Sequence, residues 1–197
     1  KFQEAHRPSQ VAISLTGEPT LYEPLGDLIK LFRQKGLTTF LVTNGTLPSR
    51  LSRLSQEPSQ LYVSLCAPNE EVYNRVCRPN FPAAWSKLNE TLEMLKSFRC
   101  PTAVRMTMVK SHNMELVSQY AKLVEKGNPT YIEAKAYMHI GFSSLRLGFN
   151  SMPMHHEVRE FADKLAAETG YRVVNEAPES RVVLLSKLEK PIQLGSN

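Results

Sequence analysis

The chain alternates short runs of strand-forming apolar residues with longer stretches in which apolar positions recur every three or four residues. VAI, residues 11–13, opens a first strand that ends on SLTGEPTLY, where Gly17 and Pro19 halt regular pairing. Pro24 suits the first turn of a helix carried by Leu25, Leu28, Ile29, Leu31 and Phe32 and stopped by Gly36. TTFLVTNGT predicts a second strand with an Asn-Gly turn, and LYVSLCAPN, residues 61–69, a third that ends on Pro and Asn. Trp85, Leu88, Leu92 and Leu95 mark the next helix, TAVRMTMVK the fourth strand, and Leu116, Val117, Tyr120, Ala121, Leu123 and Val124 a helix stopped by Gly127. YIEAKAYMHIG is the fifth strand. Val158, Phe161, Ala162 and Leu165 predict a helix from about Met154 to Thr169, and YRVV and RVVLL close the chain before a PIQLGSN tail.

Strands and helices alternating at this spacing argue for parallel strands joined by right-handed crossovers. The strand faces narrow the architecture. In TAVRMTMVK, Val104, Met106 and Met108 oppose Arg105 and Thr107; in YIEAKAYMH, Ile132, Ala134, Ala136 and Met138 oppose Glu133, Lys135, Tyr137 and His139. LYVSLC sets Leu61, Val63 and Leu65 against Tyr62, Ser64 and Cys66. A doubly wound sheet, covered on both faces, shows near-continuous apolar strands. These alternate instead. The expected fold class is therefore α/β: a partial (β/α) barrel with mostly parallel strands, a polar concave interior and helices outside, in one domain over residues 1–197.

At 197 residues the chain can bury a core without disulfides or metals, and its net charge of +5 favours an anionic partner such as nucleic acid. Cys66, Cys77 and Cys100 form no CxxC pair, so they read as free thiols rather than a disulfide framework or a local metal site. No apolar run approaches the roughly 18 residues of a membrane span and no segment resembles a signal peptide, which points to a cytoplasmic protein without a membrane partner. The sequence opens on Lys1 with no initiator methionine, and a further segment is expected upstream.

In barrels the chemistry gathers where strands end. Here those ends read Thr-Gly-Glu-Pro, Thr-Asn-Gly-Thr, Ser-Leu-Cys-Ala-Pro and Tyr-Met-His-Ile-Gly. Gly17 lets backbone approach a ligand and Glu18 offers a carboxylate, although the same tetrapeptide also serves ordinary strand-to-helix turns. Glu133 and Lys135, two apart on one face, form either a neutralising ion pair or a pair that meets substrate. A lysine on a late barrel strand also suits Schiff-base chemistry. Arg105 points inward toward an anion, an adenine ring or Glu133. His155 and His156 lack the HExxH spacing of a zinc site and read as surface residues.

Taken in order, VAISLTGEPTLY, TTFLVTNGTLP, QLYVSLCAPN, RMTMVK, YIEAKAYMHIGFS, NSMPMHHEVREFA and ESRVVLL closely resemble the tRNA 4-demethylwyosine synthases of the radical S-adenosylmethionine superfamily. The resemblance implies a tRNA-modifying lyase that joins pyruvate to N1-methylguanosine beside the anticodon of tRNA-Phe. In that family a reduced 4Fe-4S cluster cleaves S-adenosylmethionine, and the 5'-deoxyadenosyl radical takes hydrogen from the N1-methyl group. A flavin or ferredoxin-type electron donor and a monomeric enzyme are also implied.

Residue by residue, Gly17, Glu18, Pro19 and Thr20 match the glycine-glutamate element that holds the α-amino group of S-adenosylmethionine. Thr43, Asn44, Ser64 and Arg105 match later strand ends, and Tyr137, Met138 and His139 the place of adenine contacts. On the substrate side stand Glu133 and Lys135, with Lys110, His112 and Arg146 near the rim for tRNA phosphates. The family's CxxxCxxC loop is absent, so the cluster ligands and the pyruvate-binding lysine are expected upstream, and the chain is expected to begin at the second barrel strand and to be inactive alone. Cys66 stands where the family often has Asp or Thr and reads as a packed interior residue, not an iron ligand. Two other readings remain: a noncatalytic tRNA-binding module on a degenerate barrel, and a class I aldolase-like lyase using Lys135.

Overall fold

The computed structural model describes residues 6–15 and 17–194. Thr16 of the first strand-end corner, the opening residues 1–5 and residues 195–197 of the tail lie outside the described residues. Along the chain run β1 (Gln10–Ile13), α1 (Leu25–Gln34), β2 (Thr38–Thr43), α2 (Pro48–Leu51), β3 (Gln60–Ser64), α3 (Glu70–Cys77), α4 (Ala84–Met94), β4 (Thr102–Met108), α5 (Val117–Gly127), β5 (Tyr131–Ala136), α6 (His155–Glu168), β6 (Arg172–Ala177) and β7 (Val182–Ser186). The strands make one sheet in the order β1-β2-β3-β4-β5-β7-β6. β1 to β5 are parallel neighbours, whereas β7 pairs antiparallel with both β5 and β6.

The alternation read from the strands decides which face is covered. Leu41, Leu61, Val63, Val104, Met106, Ile132 and Ala134 pack with Ile29, Leu88, Leu92, Tyr120, Val124, Phe161 and Leu165 of the helices in a single buried cluster. On the opposite face Tyr62, Ser64, Arg105, Thr107, Glu133 and Lys135 are only half-buried. The result is the expected partial barrel, with helices on its outside and a polar concave wall.

Three features depart from the pattern reading. α3 gave no periodic signal because it buries only Val72 and Tyr73; it forms because the Asn69 side chain accepts from Val72 N and so caps its start. β6 and β7 return antiparallel through the short turn Pro178–Ser180 and Arg181, whose φ of 51° lets the chain reverse. Gly127 remains helical, and Asn128 at φ 42° makes the stop assigned to it. Among the described residues, no helix is long and apolar enough to cross a membrane.

Candidate active site

The first two strand ends are stitched together by one carboxylate. Glu18 Oε1 accepts from Thr20 N at 3.1 Å, Thr20 Oγ1 at 2.7 Å and Thr43 Oγ1 at 2.6 Å, while Oε2 accepts from Asn44 N at 2.8 Å. Three donors saturate Oε1, but Oε2 keeps accepting capacity. Thr20 and Thr43 are each 1% exposed, so their hydroxyls depend on this carboxylate. The Asn-Gly turn adds a second layer: Asn44 Oδ1 accepts from Thr46 N and Oγ1, Thr43 Oγ1 accepts from Gly45 N, and Gly45 O accepts from Thr91 Oγ1 on α4. Gly17, at φ 76°, has nothing within 4 Å of where a Cβ would stand, which leaves bare backbone beside the carboxylate.

The polar wall runs across β3, β4 and β5. Parallel register aligns Ser64 with Arg105, Arg105 with Glu133, and Thr107 with Lys135. Arg105 donates to Glu133 through Nε at 2.7 Å and Nη2 at 3.3 Å, and its guanidinium lies 4.6 Å from the centroid of the Tyr62 ring. Burial, and secondarily the Glu133 charge, raise the Tyr62 pKa and keep its phenol protonated. Of the two partners the sequence offered Glu133, the structure takes Arg105 and not Lys135. Arg105, directly opposite on β4, takes the carboxylate with two bonds of its planar fork, whereas Lys135 sits one turn of the pleat higher, beside Thr107. Among the described residues Lys135 has no ion-pair partner.

At the third corner an asparagine that the pattern reading did not single out holds two strands. Asn113 is 2% exposed; its Oδ1 accepts from Val109 N at 2.6 Å and its Nδ2 donates to Cys66 O at 2.9 Å and Thr107 O at 2.8 Å. Its only sequence signal is its place a few residues beyond β4. Cys66 is half-buried next to Cys77, and a hydrogen bond between the two, with help from Thr107 and against the opposing effect of burial, brings the Cys66 thiol down to about 7. Burial and the Glu57 charge push Cys100 up to about 12.

The remaining candidates lie on the rim. Lys110 is paired with Glu157, whose pKa falls chiefly through that bond. His112 Nδ1 stands 2.9 Å from Lys110 O, Arg75 Nη2 donates to His112 O, and Arg146 Nη1 reaches Val76 O at 3.4 Å. The face alternation ends with β5: Tyr137 is buried, its hydroxyl meeting His139 Nδ1 and Leu147 O, while Met138 is 38% exposed and His139 stacks edge-on against Phe149. His155 pairs with Glu176 at 3.0 Å.

Comparison with known proteins adds two family matches. Residues 1–124 match the radical SAM superfamily and residues 126–187 match wyosine base formation. The chain is 47% identical over 191 residues to the S-adenosyl-L-methionine-dependent tRNA 4-demethylwyosine synthase of Pyrococcus horikoshii, covering 95% of this chain and 56% of that protein. It is 35% identical over 167 residues to the human protein of that name, covering 84% of this chain and 22% of that one. A structure of TYW1 with a lysine-pyruvate adduct bound superposes at a TM-score of 0.87 and 37% identity, over 94% of this chain and 59% of that one. The chain thus spans little more than half the length of the archaeal relative it matches.

Proposed function

Because the chain belongs to the radical SAM superfamily, which its first 124 residues match, we propose that it is the barrel portion of a tRNA 4-demethylwyosine synthase, with tRNA-Phe and pyruvate as substrates. The observation that carries this reading is the Glu18 corner, continuous with a polar wall whose β5 strand lies within the wyosine-forming match.

S-adenosylmethionine fits the residues present. The bare Gly17 backbone and the accepting capacity left on Glu18 Oε2 suit its α-ammonium, which gains a charge-assisted bond beside the rigid Thr43–Asn44 corner. Ser64 and the Arg105–Tyr62 stack extend the floor on which its remainder would lie. The iron-sulfur cluster does not fit: among the described residues no group of three or more His, Cys, Asp or Glu side chains converges for a metal ion. S-adenosylmethionine, held at the Glu18 corner, would supply the hydrogen-abstracting group. This chain's part is to hold and orient. Glu133 fixes Arg105 as an immobile cation, and Lys135 offers an unpaired ammonium on the concave wall for the pyruvate carboxylate or the methylated guanine.

The test is Lys135→Met in the full-length polypeptide, with 5'-deoxyadenosine and modified tRNA measured in one assay. Uncoupled cleavage of S-adenosylmethionine should persist while 4-demethylwyosine formation is lost. Equal loss of both products with a lost thermal transition would reduce Lys135 to a structural residue, and retention of both would remove this wall from the substrate site.

A further inference from the structure

The segment 140–149, between β5 and α6, displays Ile140, Phe142, Leu145 and Phe149 at 70%, 90%, 81% and 66% exposure. A single exposed apolar side chain is ordinary, but four within ten residues make a patch that calls for an occupant. The segment is a built turn rather than a loose one. Ser143 Oγ donates to Ile140 O, Ser144 Oγ to Gly141 O, Leu147 N to Ser143 O, and the buried Tyr137 hydroxyl to Leu147 O.

Charge selects the occupant. The sequence has no Asp or Glu from Ala134 through His156, from Val72 through Asn89, or from Met94 through Met114. The fold brings one end of each stretch to a common rim, where Arg146 reaches Val76 O at the end of α3 and Arg75 from α3 reaches His112 O. Arg75, Arg78 and Arg146 are exposed, as are Phe142 and Leu145, and Arg146 spans from the one segment to the other. Exposed rings flanked by arginines suit a polyanion that carries stackable faces, and the nearby Glu157 carboxylate is already held by Lys110.

We propose that the segment 140–149 is a landing platform for the unpaired nucleotides of an RNA loop, with Phe142 stacking on a base and Arg75, Arg78 and Arg146 meeting phosphates. This rests on the tRNA reading above and names the surface that reading requires. The platform stands on the element that follows β5, so a loop seated on it lies next to the wall that bears Lys135.

The experiment measures binding of a fluorescein-labelled RNA hairpin with an unpaired loop, and of a blunt duplex of the same stem, to the full-length polypeptide across a salt series. Phe142→Ser combined with Leu145→Ser should weaken hairpin binding about tenfold or more and leave duplex binding near that of the parent. Arg146→Gln should weaken both RNAs and lower the salt slope by about one. Leu31→Ser, a change at an apolar side chain 58% exposed on α1, should alter neither. Parent-like hairpin affinity in the Phe142/Leu145 variant overturns the platform while the tRNA reading stands; failure of the parent to bind any RNA takes down both. Phe142→Cys, followed by peptide mapping after maleimide without RNA, detects a different occupant. If that position is inert, another part of the longer chain covers it and the proposal fails.

Discussion

Glu18 carries four hydrogen bonds on two oxygens and ties the loop after β1 to the end of β2. Glu18→Gln turns one accepting oxygen into a donor facing other donors, so the corner loses at least one charge-assisted bond, a cost of about 1.5 to 3 kcal/mol. Calorimetry on the full-length protein should show S-adenosylmethionine bound roughly ten- to a hundredfold more weakly, with a lowered melting temperature in the same preparation. Unchanged affinity would take Glu18 out of the ligand site. Cys66 offers a test by pH. Its thiol, held near 7 by the hydrogen bond with Cys77, gains thiolate as pH rises through neutrality, whereas Cys100, raised to about 12, stays protonated. Alkylation followed by peptide mapping should therefore label Cys66 with a midpoint near pH 7 and leave Cys100 nearly untouched. Cys77→Ala should move that midpoint upward, because burial then acts with less opposition. A midpoint unmoved by Cys77→Ala would show that the neighbouring thiol has no part in it.

At the scale of elements, the buried amide of Asn113 does for β3 and β4 what Glu18 does for β1 and β2. Asn113→Leu would leave Val109 N, Cys66 O and Thr107 O without these partners, a loss of about 3 kcal/mol or more, read as a shift of the urea midpoint with little change in slope. A midpoint within error of the parent would mean water replaces the amide. Neither bracket was legible in full. The Thr-Gly-Glu-Pro corner drew attention through its residue types, but no pattern announces that Thr43, 25 residues on, donates to Glu18, and Asn113 is a single polar residue in a turn. The β4 and β5 faces were legible because one side meets helices and the other meets solvent, so period two survives in the residues themselves. That signal ended with pairing: beyond Ala136 the exposed residue is Met138 and the buried one Tyr137, the reverse of the alternation. The partner of Glu133 was open for a related reason. Neighbours along one strand are visible in sequence, whereas Arg105 reaches Glu133 only through the β4–β5 register.

At the scale of the whole molecule, the sheet separates the three thiols by function. Cys66 and Cys77 meet at the end of β3 and the end of α3, but Cys100 lies just before β4, where Glu57 accepts from its backbone N–H and Leu61 N donates to Pro101 O at the opposite end of the sheet. A 4Fe-4S cluster draws on three or four thiolates converging within a few ångströms. Two of the three thiols here are within reach of one another, and the third is a strand length away. The chain of residues 1–197, reconstituted anaerobically with iron and sulfide and then desalted, is therefore expected to retain no stoichiometric cluster and to show no reductive cleavage of S-adenosylmethionine. Iron and sulfide assays, the visible spectrum and the yield of 5'-deoxyadenosine measure this together. Cys66→Ala serves as the control, because any iron held loosely by the Cys66–Cys77 pair should disappear with it. Retention of four irons with cleavage activity would mean that the thiols rearrange to converge, and the reading that residues 1–197 hold S-adenosylmethionine without binding the cluster would fail.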